Sequence, residues 1–330
     1  MSDSLLLEIE EAGAQLARVR QMVSRRVIGQ ETVVDLALAA ILCGGHGLLV
    51  GAPGLAKTLL VETLGTVLGL DANRVQFTPD LMPSDILGAE VLERAPDGSR
   101  AFRFIQGPVF CQLLMADEIN RAGPRTQSAL LQAMQEQHIS IAGARRDLPA
   151  PFHVLATQNP IEQEGTYPLP EAQLDRFLFQ IDVDYPEREA ERAILLATTG
   201  AQSAALEPVL SAEALMAMQS MLRRMPVGEN VVDAILDLVR AARPVEGGEL
   251  TGSIAWGPGP RAAQALMLGV RARALLDNRL APDLGDVAAL AGPVLTHRMA
   301  LNYAARAEGT RLADLIDGLV ERHVGMASAA

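Results

Sequence analysis

The sequence predicts an α/β fold in which a parallel five-stranded sheet is flanked by helices and followed by an all-α C-terminal domain. Three observations carry this expectation. Short apolar, β-prone runs alternate with helix-periodic segments over the first half of the chain, and two of those runs end on residue types suited to phosphate and magnesium. From Pro186 onward the β-like runs stop while helical periodicity continues. The expected division is a lead-in helix over 1–26, a nucleotide-binding α/β domain over 27–185 and a helical domain over 186–330.

The lead-in helix runs from Leu5 to about Arg25, with Leu6, Ile9, Leu16, Val19 and Val23 at helical intervals. A second helix spans Glu31 to Leu42 and is closed by Gly44-Gly45. Between them, Val27 and Ile28 either flank an adenine ring or act as a hydrophobic staple for the helix that follows, and both readings stay open.

His46 to Val50 is a short apolar strand, and Leu59 to Leu64 has helical spacing. Gly51-Ala52-Pro53-Gly54-Leu55-Ala56-Lys57-Thr58 therefore sits at a strand-to-helix junction and reads as a phosphate-binding loop. In such a loop backbone N–H groups and the helix N-terminus cradle phosphate, Lys57 reaches the β- and γ-phosphates, and the Thr58 hydroxyl ligates magnesium. Ala56 stands where the general pattern has glycine, which the backbone tolerates only if φ stays negative.

Arg74 to Thr78 is the next strand. Leu87 to Leu92 and Ala101 to Ile105 form a hairpin through Asp97-Gly98 that projects from the nucleotide domain. The apolar strand from Gln112 ends on Asp117 and Glu118, the end of a parallel strand at which ligands sit. Asp117 suits a hydrated magnesium and Glu118 an attacking water. Thr126 to Glu136 is an amphipathic helix, and a second hairpin from His138 turns at Gly143 and ends at Pro149. Arg145 and Arg146 on it are the best candidates for a basic patch, with a solvated hairpin tip the favoured reading.

The strand Phe152 to Thr157 leads to Asn159, whose amide is placed to orient water or touch the γ-phosphate, although Asn-Pro is also a common turn. A short helix over Pro170 to Leu174 precedes Asp175-Arg176-Phe177 and the strand Leu178 to Asp182. Arg176 alone reads as a salt bridge to Asp175 or a neighbour. Helices are expected over Glu187–Thr198, Ala212–Arg224, Glu229–Ala242, Arg261–Leu276 and Leu284–Met299. Pro244 to Pro260 is a loop and Gly325 to Ala330 a frayed tail.

A net charge of −12 and an aromatic content of 3% oppose binding to nucleic acid or an anionic membrane surface. Cys43 and Cys111 lie in apolar surroundings and read as buried thiols of a reducing compartment. The acidic N-terminus and the lack of any apolar run near ~20 residues give the expectation of a cytoplasmic protein without signal peptide or membrane anchor. The five histidines show no metal-ligand spacing and are expected to be structural.

With these residues together, the chain resembles the MoxR family of AAA+ ATPases from about Val27 to Met299, most specifically over Leu155 to Phe177. The family commonly places alanine before the loop lysine, so Ala56 matches it. The resemblance implies that Gly51 to Thr58, continuing into Leu59, is Walker A, that Asp117 and Glu118 are Walker B, and that Asn159 is sensor one. It further implies that Arg176 is an arginine finger reaching a neighbour's nucleotide, that Arg261 is the sensor-two arginine of a helical lid, and that Arg121 and Arg125 are further contacts in trans. The implied ligands are ATP and Mg2+. The implied assembly is a ring homo-oligomer, a hexamer, acting on a protein client through a partner with a von Willebrand factor A domain. A nucleic-acid motor or chelatase-subunit-like ATPase of the same clade and a non-hydrolysing nucleotide scaffold are the alternatives. No aromatic pore loop is evident.

Overall fold

The computed structural model describes residues 3–94, 100–161, 165–199, 205–245 and 248–325. Two helices open the chain, α1 (Asp3–Ser24) and α2 (Glu31–Leu42), followed by β1 (Gly47–Gly51), α3 (Lys57–Val67), β2 (Ala72–Gln76) and α4 (Pro83–Leu87). A first hairpin, β3 (Gly88–Arg94) and β4 (Arg100–Gln106), leads to β5 (Leu113–Asp117) and α5 (Pro124–Glu136). A second, β6 (His138–Ile141) and β7 (Ala144–Asp147), precedes β8 (His153–Gln158), α6 (Glu171–Leu174) and β9 (Phe179–Val183). The rest is α7 (Arg188–Thr199), α8 (Ala212–Leu222), α9 (Glu229–Ala241), β10 (Ile254–Trp256), α10 (Pro260–Leu276), α11 (Leu284–Leu295), β11 (Ala300–Leu301), α12 (Tyr303–Ala307) and α13 (Leu312–Val320).

The expected five strands form one parallel sheet in the order β2-β5-β8-β1-β9. Covered on both faces, its inner strands read as apolar runs, and every residue of β5 is buried. One apolar cluster takes in Ile9, Leu38, Leu49, Leu113, Leu266 and Leu290, so α1 and the C-terminal helices share a core with one face of the sheet. Phe77, Leu114, Leu130 and Val154 pack on the other face.

Both hairpins are present. The Asp97-Gly98 turn of the first lies outside the described residues. In the second, Ala142 and Gly143 carry φ of 51° and 80°, the two-residue turn whose twist matches its strands. Arg145 pairs with the exposed Asp147 at 2.8 Å and is a wet surface charge. Arg146 departs from the solvated reading, because strand alternation turns it inward. Its guanidinium lies 3.8 Å from the Phe104 ring centroid and 3.6 Å from Glu90, tying the second hairpin to the first.

Beyond the sheet, three details differ from expectation. The glycine- and proline-rich stretch 244–260 holds β10, which pairs with β11 as a two-stranded ribbon. The helix expected to reach Met299 ends at Leu295 and tightens into a 3-10 turn over Thr296–Arg298, and α12 and α13 follow. Three of the five histidines, His46, His153 and His297, are buried. His46 accepts from the Val154 N–H and donates to the Met134 carbonyl, and burial pulls its pKa down to about 3. Cys43 and Cys111 are buried free thiols, and burial pushes Cys111 up to about 12. No helix among the described residues is long and apolar enough to cross a membrane.

Candidate nucleotide site

Three neighbouring strands deliver the site. β1 pairs with β8 and β8 with β5, so the loop after β1, the carboxylates ending β5 and the amide after β8 emerge at one edge. Residues 53–59 line a cavity of about 360 Å3 together with Asp117, Glu118, Thr157 and Asn159. Of the expected loop residues, Pro53, Gly54, Leu55, Ala56, Lys57, Thr58 and Leu59 line it and Gly51 does not, and they are brought to Asp117, Glu118 and Asn159.

Gly51 starts the loop under constraint, since a Cβ there would collide with the Val183 carbonyl oxygen of β9. Gly54 has φ of 84°. Ala56, contrary to the condition set from the sequence, adopts the left-handed region with φ 58° and ψ 19° at the N-terminus of α3. The loop must reverse there to aim its N–H groups inward, and a left-handed alanine costs about 1–2 kcal/mol. The Lys57 ammonium rests on the Gly51 and Ala52 carbonyls. Partial burial lowers its pKa, while Asp117 and Glu118 raise it.

Thr157 ties the two carboxylate residues together. Its hydroxyl donates to Asp117 Oδ1 at 2.6 Å and accepts from the Glu118 N–H at 2.8 Å. Asp117 Oδ2 accepts from Arg74 at 2.6 Å, and Glu118 Oε2 accepts from Gln76 at 2.6 Å and from Arg121 at 2.9 Å. Glu118 itself is left-handed, with φ 55° and ψ 50°, a strained conformation of the kind found at functional sites. Thr157, Arg74 and Gln76 were not anticipated as site residues. The available signal was the alternation of Arg74 and Gln76 on one face of a strand expected beside the carboxylates.

Asn159 is buried at the edge of the cavity, and its Oδ1 accepts from the Ile161 N–H, the turn expected of Asn-Pro. For magnesium, the Thr58 hydroxyl and the Asp117 carboxylate border one cavity, which fits an ion held by one carboxylate, water and substrate phosphates.

Arg176, Arg261 and Ile28 do not line this cavity. Ile28 is half-buried in the loop before α2, and its neighbour Val27 enters the core; with Gln30 as the N-cap of α2 the staple position falls on Gly29, so neither residue is a staple. Arg176 and Arg261 border a separate cavity of about 240 Å3 with Asp175 and Arg298. The simple salt bridge expected of Arg176 is absent among the described residues, because Asp175 is taken by Arg298 at 2.7 Å and Arg261 at 3.5 Å. Arg121 pairs with Glu118 of its own chain, and Arg125 is exposed in the first turn of α5.

Comparison with known proteins bears on the family of this fold. Residues 46–179 match the ATPase family associated with various cellular activities (AAA), and residues 251–318 match the AAA lid domain. The chain is 43% identical to the Chaperone MoxR1 of Mycobacterium tuberculosis over 87% of its own length and 76% of that protein. It is 33% identical to the Protein MoxR of Paracoccus denitrificans, covering 84% and 86%. A crystal structure from Cytophaga hutchinsonii superposes with a TM-score of 0.88 at 38% identity, covering 96% of each chain. The chain belongs to the MoxR-type AAA+ ATPases.

Proposed function

We propose that this ATPase hydrolyses ATP with magnesium at the interfaces of a ring, a hexamer, and uses the cycle to remodel or activate a protein client in the cytoplasm. The partner expected to present the client carries a von Willebrand factor A domain. In this reading residues 27–185 bind nucleotide, 186–330 form the lid and 1–26 lead in.

One observation carries the interface reading. Arg176 borders a cavity apart from the phosphate loop and has no side-chain partner among the described residues. An arginine so placed serves a nucleotide held by the next subunit, and a finger supplied in trans accelerates phosphoryl transfer by about 10³–10⁵.

Within one subunit, Lys57 supplies countercharge to the β- and γ-phosphates and Glu118, aimed by Gln76 and Arg121, holds the attacking water. Asn159 offers its amide to the same water or to phosphate, and Arg261 of the lid, which borders the same separate cavity as Arg176, contacts the nucleotide held by the next subunit as Arg176 does. Bound magnesium neutralises phosphate charge, with Thr58 and Asp117 as the residues that would hold it. The net charge of −12 disfavours the nucleic-acid motor.

The test is steady-state hydrolysis against protein concentration, with mass measured by light scattering in the same samples. Specific activity should climb as a ring-sized species forms. Arg176→Ala should retain nucleotide and lose turnover, with partial recovery on mixing with Glu118→Gln. Flat activity from a monomer, or unchanged turnover in Arg176→Ala, refutes the interface site.

A further inference from the structure

Three guanidinium groups, of Arg176, Arg261 and Arg298, and one carboxylate, of Asp175, border the second cavity. The two arginines on the carboxylate are held very differently. Arg298 is 2% exposed, and besides Asp175 Oδ1 it donates to the carbonyls of Val294, Leu178 and Phe177. Burial lowers its pKa and the bond to Asp175 opposes that shift, so withdrawing the carboxylate would leave a buried charge unpaired. Arg261, in the first turn of α10, is half exposed and touches Asp175 Oδ2 through one long contact at 3.5 Å. Two like charges share one carboxylate, and only the outer one can leave without exposing a buried ion.

We propose that Asp175 is a positioning residue that parks Arg261 and competes with the terminal phosphate of ATP for it. This rests on the reading of Arg261 as a nucleotide contact given above. Arg298 anchors the carboxylate, which keeps the parking place fixed while Arg261 exchanges between a carboxylate and a phosphate. ADP lacks the competing group, so it leaves Arg261 on Asp175. The contact thereby biases the chain against ATP relative to ADP, and it sits one residue from Arg176 in the sequence.

The experiment is a double-mutant cycle read by binding of a fluorescent non-hydrolysable ATP analogue and of fluorescent ADP, with magnesium, at the concentration where activity has reached its plateau. Asp175→Asn should tighten the analogue about two- to five-fold, the size expected of a half-exposed ion pair, and leave ADP unchanged. In an Arg261→Ala background that tightening should vanish. A gain that persists without Arg261, an equal gain for ADP, or unchanged or weaker analogue binding overturns the proposal. Arg261→Ala alone should weaken the analogue. If it does not, the nucleotide role of Arg261 fails and the competition with it, an outcome distinct from a failed cycle on a working Arg261. Should Asp175→Asn not fold, Asp175→Asn/Arg298→Met removes the buried pair as a unit and serves as the background for the same cycle.

Discussion

Replacing Ala56 with glycine reads the sign of a backbone angle directly. At φ 58° and ψ 19° the alanine methyl crowds the carbonyl that follows, at a cost of about 1–2 kcal/mol that glycine does not bear. Glycine also gives the unfolded chain more freedom, which takes back about 0.4–1 kcal/mol. The net expectation for Ala56→Gly is a gain between about 0 and 1.5 kcal/mol. Had the backbone stayed at negative φ, only the entropic loss would remain and the variant would be less stable by about 0.5–1 kcal/mol. Ala56→Val supplies the opposite arm, since a β-branched residue fits the left-handed region worse than alanine, and it should be clearly destabilised. Thermal melts of the three proteins without nucleotide, at equal concentration, decide the matter. An Ala56→Gly melt below that of the native chain would refute a left-handed Ala56.

Thr157→Val keeps the shape of the side chain but removes the hydroxyl between Asp117 and the Glu118 N–H; it should cost about 1–3 kcal/mol and lower turnover more than nucleotide affinity, and unchanged kinetics would make the bridge irrelevant. His46 and His297 are held near pKa 3, far below their unfolded value of about 6.5, so the unfolded chain takes up protons first. Stability should therefore fall as pH drops from about 6.5 toward 3, by about 2 kcal/mol for each histidine at pH 5, and a urea midpoint that is flat from pH 7.5 to 5 would contradict their burial as neutral rings. Arg146→Ala should free the first hairpin from the second, so hydrogen exchange should rise over 88–94 and 100–106 as well as over 138–147; protection lost only in the second would show the two to be independent.

The sheet was legible because its strands are buried on both faces and announce themselves as apolar runs, and because ligand-binding residues stand at their ends. Lys57, Asp117, Glu118 and Asn159 could be picked out that way and meet at one cavity. What could not be read depends on partners distant in sequence. Arg146 looks like a surface charge until Phe104 arrives beneath it, and Asp175 and Arg298 become a pair across 123 positions. The early end of α11 belongs to the same class, since Arg298 turns inward to meet the carbonyls of Phe177 and Leu178. The positive φ of Ala56 was hidden for another reason: local propensity forbids it, and the loop around it imposes it.

The close approach of Gly51 to Val183 has a mechanical consequence. The first residue of the phosphate loop abuts the last residue of β9, and just beyond it the Asp184 carbonyl is gripped by the Gln30 side chain at 2.9 Å. The chain thus leaves for its C-terminal helices within one backbone contact of the phosphate loop. A β-carbon at position 51 would run into the Val183 carbonyl oxygen, so any side chain there would push the phosphate loop and the end of β9 apart.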